Sequence, residues 1–454
     1  MSFLARAKQG FIPYREAPVL ANVLLGMAEG FPLTLVLGTL GYWLAQVGVD
    51  KTTIGIFAIV SAPYATKFLW SPVLDRMSLG PITRAFGRRR GWLFTIQALM
   101  SAAIIGLSMT NPAVDPFTTG VFAFAVAFLS ASQDVVIDAY RIEIMERRQY
   151  GHGATALTFG YRAAGLLTGV LVLALADMIN WSFAIAISPI MLLPGIIAAL
   201  WIGEPAPDGE EYIHEEEKKL ERVLDKGHIK GRGAEIIEWL YEAVVLPFKE
   251  FMTRRGWWLV LIFIVWFKVG DAVVVIMTAP FLVELGFTNP EIIWANKTIG
   301  GMMIWVGVFA GSFVYGWFGL YRSLLGTIIL MMVTNLFFAW LAVVGHDVLS
   351  LAIVVAAENF ASGLGNVTVI AFLSALCHRA FTATQYALLS SFAAIGRTFI
   401  GTSSGYMAEN LGWVDFFIGT TLISVPSILL LLYLWKHRLA GPDSYDEKPA
   451  LEKS

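Results

Sequence analysis

A chain of 454 residues that is 57% hydrophobic and 15% charged is too apolar for a soluble fold, where about 25% of residues carry charge. A formal net charge of −2 points away from nucleic acid, and a single cysteine, Cys377, excludes an intrachain disulfide. A bilayer accommodates this composition, with each spanning helix taking about 20 apolar residues.

The stretch up to Pro18 holds Arg6, Lys8 and Arg15. It has no short apolar core followed by a small-residue cleavage site, so the first membrane helix is expected to be an uncleaved anchor. Six stretches of spanning length precede residue 204, at about 17–46, 52–71, 92–110, 118–140, 154–177 and 182–203. Residues 204–256 are polar, mixing Glu215, Glu216 and Glu217 with Lys218, Lys219 and Arg222. They read as a cytoplasmic linker, and its segment from Ala234 to Phe251 is amphipathic and suited to the membrane surface. Six more stretches follow, at about 257–284, 291–318, 323–344, 348–374, 384–408 and 413–436. The expected organisation is an all-α membrane protein. A six-helix bundle over 1–203 and another over 257–438 are joined by the linker 204–256, and 439–454 forms a cytoplasmic tail.

Lysine and arginine fix the orientation. With the N-terminus inside, the loop after helix 2 faces the cytoplasm with Arg76, Arg84, Arg88, Arg89 and Arg90, and the loop after helix 4 with Arg141, Arg147 and Arg148. Arg322, Arg379, Lys436 and Arg438 fall on the same side, and Lys51 is the clear exception. The two halves repeat in parallel. Asp177 and Trp181 have the same spacing as Glu409 and Trp413, and Arg162 and Arg397 fall about one helical turn apart when these segments are aligned.

Ionisable residues inside spanning segments are costly, by at least about 2.5–3.5 kcal/mol on insertion scales, and they usually face a bundle interior or an aqueous cavity. This chain places Glu29, Lys67, Asp134, Asp138, Arg162, Lys268, Asp271, Lys297, Glu358 and Arg397 there. Counting from the cytoplasmic ends puts Glu29, Asp271 and Arg397 near the midplane, with Asp134 and Arg162 somewhat nearer the cytoplasm. Asp134 and Asp138 share one helix face, and repulsion between two such carboxylates suits a proton carrier. Glu29, Asp271 and Glu358 stand in reserve for that role. Neutralising Asp138 by Asn is then expected to abolish uphill uptake. Arg162, Lys268, Lys297 and Arg397 are candidate anchors for an anion. Each has an internal ion pair with Glu29, Asp271 or Glu358 as its structural alternative. Lys67 is expected to snorkel to the cytoplasmic surface, outside the site. Asp75, Arg76, Arg88, Arg89, Arg90 and Arg141 are candidates for a cytoplasmic gate. Among the aromatics, Trp43, Tyr161, Trp266 and Trp294 have positions from which to stack on a sugar ring.

Some chemistries leave no trace. There is no Walker A loop and no His-Glu-x-x-His. His152, His214, His228, His346, His378 and His437 form no metal-like spacing. An enzyme is therefore the weakest reading, ATP is not the obvious energy source, and no cofactor is expected.

Seven runs carry a family resemblance. The run from Ser130 to Glu143, SASQDVVIDAYRIE, resembles the helix-4 signature of the AmpG family of muropeptide permeases. YATKFLWSPVLDR from Tyr64 to Arg76 and GRRRGW from Gly87 to Trp92 are similar to the same family. FKVGDA from Phe267, NKTIG from Asn296, ENFASGLG from Glu358 and ATQYALLSSFAAIGR from Ala383 follow in family order. The polar residues Gln133, Asn359 and Gln385 within these runs join Tyr161 and the four cations as candidate substrate contacts. The resemblance implies a major facilitator fold of about twelve helices in the bacterial inner membrane, with both termini cytoplasmic. It implies a monomer that imports GlcNAc-1,6-anhydro-MurNAc, with or without peptide, together with protons for cell-wall recycling. Related branches leave two other expectations open: a transporter of another anion such as acyl-CoA or a sugar phosphate, and a non-transporting assembly factor for pigment–protein complexes. Residues 77–86 separate Arg76 from Gly87. The wider superfamily usually lacks such an insertion at this point, whereas the AmpG pattern has a comparable one.

Overall fold

With no water in the hydrocarbon, a spanning segment must bond its own backbone N–H and C=O groups, and every regular element among the described residues is a helix. The structure is a computed structural model that describes residues 12–49, 57–206, 241–267, 269–401, 404–437 and 439. Lys268 and most of the linker and tail lie outside the described residues, as do the side chains of Asp271, Lys297 and Arg397.

The first half holds α1 to α6. Helix α1 runs Ala17–Leu33, widens into π turns over Thr34–Thr39 and ends as Leu40–Gln46. Helix α2 is broken, with Ala62–Thr66 and Ser71–Arg76 joined by the tight turn Lys67–Leu69. Pro63 and Pro72 sit at the starts of its two α-helical pieces, where a missing N–H is tolerated. Then come α3 (Arg88–Ser108), α4 (Pro116–Ile144), α5 (Tyr150–Met178) and α6 (Trp181–Ile202). In the second half, α7 comprises Trp257–Phe267 and Val269–Glu284. The long helical stretch Pro290–Val344 is interrupted at Gly319, whose φ of 74° leaves the helical region. Ser323 Oγ closes that turn on Val314 O at 2.9 Å, so residues 290–318 are α8 and 320–344 are α9. Helix α10 is Val348–Leu376, α11 comprises Thr382–Gly401 and Ser404–Leu411, and α12 is Trp413–His437. Eight of these helices are long and apolar enough to cross a membrane as they stand. Dividing one at Gly319 and adding the broken α2, α7 and α11 gives the expected twelve.

Helices α1–α6 share one apolar core, containing Phe31, Met100, Val136 and Ala184. Helices α7–α12 form two, around Phe263 and Phe372 and around Phe281 and Phe338. The boundaries expected at the basic ends are too short: α3 starts at Arg88 and α4 runs to Ile144. Arg88, Arg89, Arg90 and Arg141 are therefore helical, not loop residues. Arg89 and Arg141 are 1% and 0% exposed, and the helix extension holds them against neighbouring carboxylates.

The halves match in register more closely than their sequences suggest. Both α4 and α10 have 29 residues, and each begins after an aspartate cap. Asp115 accepts from Thr118 N at 3.0 Å and Asp347 from Ser350 N at 2.7 Å. Hydrogen bonds from those partners hold both carboxyls below the usual carboxylate range. Each helix is followed, after two residues, by a single 3-10 turn, Arg147–Gln149 in one half and Arg379–Phe381 in the other. A constant shift of 232 residues maps all of this, and it also maps Gly87 onto Gly319, both with positive φ.

Close helix contact inside the first half depends on glycine. A Cβ on Gly160 of α5 would lie 1.9 Å from Val23 O of α1, and one on Gly30 would lie 2.3 Å from Tyr161 O. Gly160→Val is therefore expected to separate α1 from α5 at a cost of about 3 kcal/mol or more. Size-exclusion profiles of detergent-solubilised protein should lose the monodisperse peak; an unchanged profile would contradict the contact. The described end of the linker, Tyr241–Val245 and Leu246–Thr253, tucks under the bundle. Leu246 packs with Ala380 and Phe381, and Gln385 Nε2 donates to Pro247 O at 3.1 Å and Glu250 Oε2 at 2.6 Å.

Candidate functional site

Two groups of charged side chains stand out, one inside the first half and one across the seam between the halves. In the first, the break in α2 turns Lys67 inward. Its Nζ lies 3.9 Å from Asp134 Oδ2 and 3.8 Å from Asp138 Oδ2. Lys67 is 9% exposed, so the snorkelling expected of it does not occur. Two carboxylates on the facing helix offset the desolvation of a buried ammonium, which an extended reach toward water would not satisfy from this position. As expected, Asp134 and Asp138 share a face of α4. Arg141, one turn on, donates from Nε to Asp138 Oδ1 at 2.9 Å. Glu29 of α1 interacts electrostatically with Asp134, Asp138, Lys67 and Arg141, and its Oε2 is buried without a hydrogen-bond partner. Asp134 Oδ1 is likewise unpartnered. Three acids thus face two cations.

The second group closes the arginine-rich end. Arg89 at the start of α3 donates from Nη2 to Asp75 Oδ1 at 2.7 Å and to Glu143 Oε1 at 2.6 Å, and from Nε to Glu143 Oε2 at 3.0 Å. The same Nη2 reaches Thr382 Oγ1 of the other half at 3.2 Å. Thr382 also donates to Glu143. Asp75 Oδ2 accepts from Thr384 N at 3.1 Å and Thr384 Oγ1 at 2.9 Å. Arg141 crosses the seam as well, donating from Nη1 to Ser374 Oγ at 3.0 Å with its guanidinium 4.7 Å from the Tyr386 ring centroid. Arg76 stacks over Phe381 at 5.1 Å. A carboxylate at the end of α6, Glu204, fixes the helix that carries Arg89 by accepting from Arg89 N at 2.7 Å and Arg90 N at 3.0 Å. Acceptors at a helix N-terminus satisfy its free N–H groups and complement its dipole. Gly87 makes room for this carboxylate: a Cβ there would lie 2.3 Å from Glu204 Cδ.

Other candidates fall in different places. Arg162 lies about 18 Å along α5 from Tyr150, on the face it shares with Thr155 and Phe159. Thr155 Oγ1 donates to Val308 O of α8 at 3.0 Å, and Phe159 meets Trp305 of α8 at 5.0 Å, so this face looks toward the second half. Arg162 makes no ion pair among the described residues, and its Nε is buried without a partner. Tyr161 is half-buried beside it. Gln133 is fully buried, donating from Nε2 to Ala28 O at 2.8 Å with Oε1 unpartnered. Asn359 donates to Val355 O of its own helix at 2.9 Å and faces Gly300 of α8. Glu358 is on the face of α10 turned to α9, where Thr334 Oγ1 donates to it at 2.9 Å. It is therefore not part of the Lys67 cluster. Gln385 holds the linker, so the structure assigns it a scaffolding contact instead of a cargo contact. Arg88 is half-buried near this network, and Arg90 Nε turns back to Phe86 O at 2.8 Å.

Of the aromatics, Trp43 is 3% exposed and stacks on Trp181 at 5.9 Å in the first-half core. Trp266 donates to Ile423 O at 2.7 Å. Trp294 is 44% exposed. Among the described residues no three His, Cys, Asp or Glu side chains form a group able to hold a metal. Sequence reasoning missed Glu143, Glu204, Thr382, Thr384, Ser374 and Tyr386. Glu143, Thr384 and Tyr386 lie within the quoted runs and Thr382 borders one, and that is the only signal they gave.

Residues 20–401 match the family model of the Major Facilitator Superfamily. The chain is 34% identical over 412 residues to the anhydromuropeptide permease of Escherichia coli (strain K12), covering 90% of this chain and 78% of that one. It is 32% identical over 415 residues to putative transporter AmpG 4 of Rickettsia felis, covering 91% and 95%. A solved structure of the proton:xylose symporter XylE bound to 6-bromo-6-deoxy-D-glucose superposes with a TM-score of 0.61, covering 92% of this chain and 95% of that one at 14% identity, a likeness of fold. With twelve segments built for a bilayer and relatives that are permeases and not enzymes, the chain belongs to the Major Facilitator Superfamily and, within it, to the AmpG family of permeases.

Proposed function

We propose that the chain imports anionic anhydro-muropeptides, GlcNAc-1,6-anhydro-MurNAc with or without peptide, across the bacterial inner membrane in symport with protons, for cell-wall recycling. The arginine-rich end is cytoplasmic, in line with the bias of basic loops, and both termini lie on that side. The protein works as a monomer, without a cofactor, on the proton gradient. The observation that carries the reading is a division of charge. Three acids face two cations in the Lys67 cluster, while Arg162 makes no ion pair among the described residues. An uncompensated buried charge is costly. The buried cluster, one acid in excess, therefore takes up a proton, and half-buried Arg162 pairs with a carboxylate of the cargo.

In the described state Arg89, Arg141 and their partners hold the cytoplasmic end shut, as the outward-facing and occluded states of an alternating-access cycle require. Cargo carboxylates pair with Arg162, and Lys268, Lys297 and Arg397 are its proposed partners in the second half. Protonation next to Asp138 weakens the hold on Arg141, whose guanidinium also bridges to Ser374 and Tyr386. The halves then rock and release cargo and proton inside.

Uptake of labelled anhydro-muropeptide into proteoliposomes, with and without an inward proton gradient, tests the reading. Gradient-dependent accumulation supports cargo and coupling together. No uptake into vesicles holding demonstrably folded protein would reject the cargo. Arg162→Ala is expected to raise KM about 10- to 100-fold, the worth of a hydrogen bond to a charged group, with a smaller change in kcat. Initial-rate kinetics would read this, and an unchanged KM would remove Arg162 from the binding site.

A further inference from the structure

The single turn Ile12–Arg15 precedes α1. It is tied to the first half by Glu16, which accepts from Arg148 Nη1 at 3.1 Å and Nη2 at 3.2 Å, and from Gln149 Nε2. From this anchored turn Tyr14 enters the seam between α5 and α8. Its hydroxyl donates to Ser312 Oγ of α8 at 2.5 Å. Its ring meets His152 of α5 edge-on at 5.2 Å and 79°, and Phe309 of α8 at 6.4 Å. Ser312 is fully buried and His152 is 5% exposed. The surrounding seam is tight, since a Cβ on Gly151 of α5 would lie 2.4 Å from the Tyr315 ring of α8.

We infer that Tyr14 is a positioning residue of the transport cycle: it clasps α5 to α8 at the arginine-rich end, and the Tyr14–Ser312 bond breaks each time that end opens. The inference rests on the alternating-access reading above. Opening draws α8 away from α5. Glu16 keeps the turn with α5's half through Arg148 and Gln149, so the link to Ser312 is the one that yields. Tyr14 lies on a different seam from Arg89, and the two residues hold opposite sides of the same closed end.

The sole cysteine, Cys377, provides the readout. It is 5% exposed and shares a packed cluster with Ile142 and Met145 of the other half, so maleimide is expected to gain access to it when the arginine-rich end opens. In membranes, Tyr14→Phe keeps the ring and loses the bond, and is expected to raise the Cys377 labelling rate about five- to tenfold, the worth of one hydrogen bond. Ser312→Ala, on the other half, is expected to do the same. The double variant should add little to Tyr14→Phe, because both changes remove the Tyr14–Ser312 contact while Tyr14→Phe also removes a hydrogen bond to Thr155. Cys377→Ser sets the background. Labelling at the wild-type rate in both single variants would overturn the clasp, and fully additive effects would overturn the shared bond. Labelling needs no cargo, so failed muropeptide uptake would reject the proposed cargo while leaving this result intact.

Discussion

Arg89→Ala is expected to open the arginine-rich end and raise Cys377 labelling by about 100-fold or more. The guanidinium is 1% exposed and is shared by Asp75, Glu143 and Thr382. Removing it leaves two carboxylates facing each other in a dry seam. Breaking a buried ion pair in this way costs about 3–5 kcal/mol. The open state does not suffer the same penalty, because water reaches both acids there. Net uptake should fall with the loss of the outward-facing state, while the protein still reaches the membrane. Arg89→Lys should recover only part of the effect, because one ammonium cannot reproduce the planar fork that holds Asp75 and Glu143 together. Labelling within about threefold of wild type would show that the seam is held shut by other contacts.

Asp134→Asn is expected to uncouple transport from the gradient. In the wild type the cluster has one acid more than its cations can balance. The variant leaves Glu29 and Asp138 against Lys67 and Arg141, which balance with no added proton. With the membrane potential clamped, one proton per cycle supports about tenfold accumulation per pH unit, since a factor of ten is about 1.4 kcal/mol. The variant should equilibrate cargo to a ratio near one and still exchange it at a measurable rate. Retained accumulation would assign the proton elsewhere in the cluster, with Glu29→Gln the next variant to test. Asp138→Asn is a poorer probe than its position on α4 first suggests. Asp138 also anchors Arg141, which reaches Ser374 and Tyr386, so its loss disturbs gating and coupling together.

The twelve segments were legible because apolar length is a property of the chain itself. The facing of each side chain was not. Lys67 sits in a stretch whose helical type changes between Thr66 and Trp70, so no single period assigns its direction. Glu358 lies on the wrong face for the Lys67 cluster, because two adjacent positions on α10 point to different neighbours. Asn359 looks to α8 and Glu358 to α9. The gate was half legible. Arginines are conspicuous by their charge, whereas Thr382, Thr384 and Ser374 are ordinary residues whose role comes from the helix packed opposite. Gln385, singled out by its place in a family run, serves the linker, and nothing in its own type separates that task from binding cargo.

The constant shift of 232 residues has a consequence for how the molecule varies. It sets Asn366, Ile370 and Leu373 of α10 where α4 has Asp134, Asp138 and Arg141. Two copies of one scaffold have separated their tasks. In the proposed cycle the first keeps the residues that convert a change of protonation into movement, and the second carries uncharged counterparts at those positions. Substitutions in α10 at these sites leave the ionic balance of α4 untouched. One half is thereby held to a fixed set of residues, and the other is free to be reshaped around different cargo.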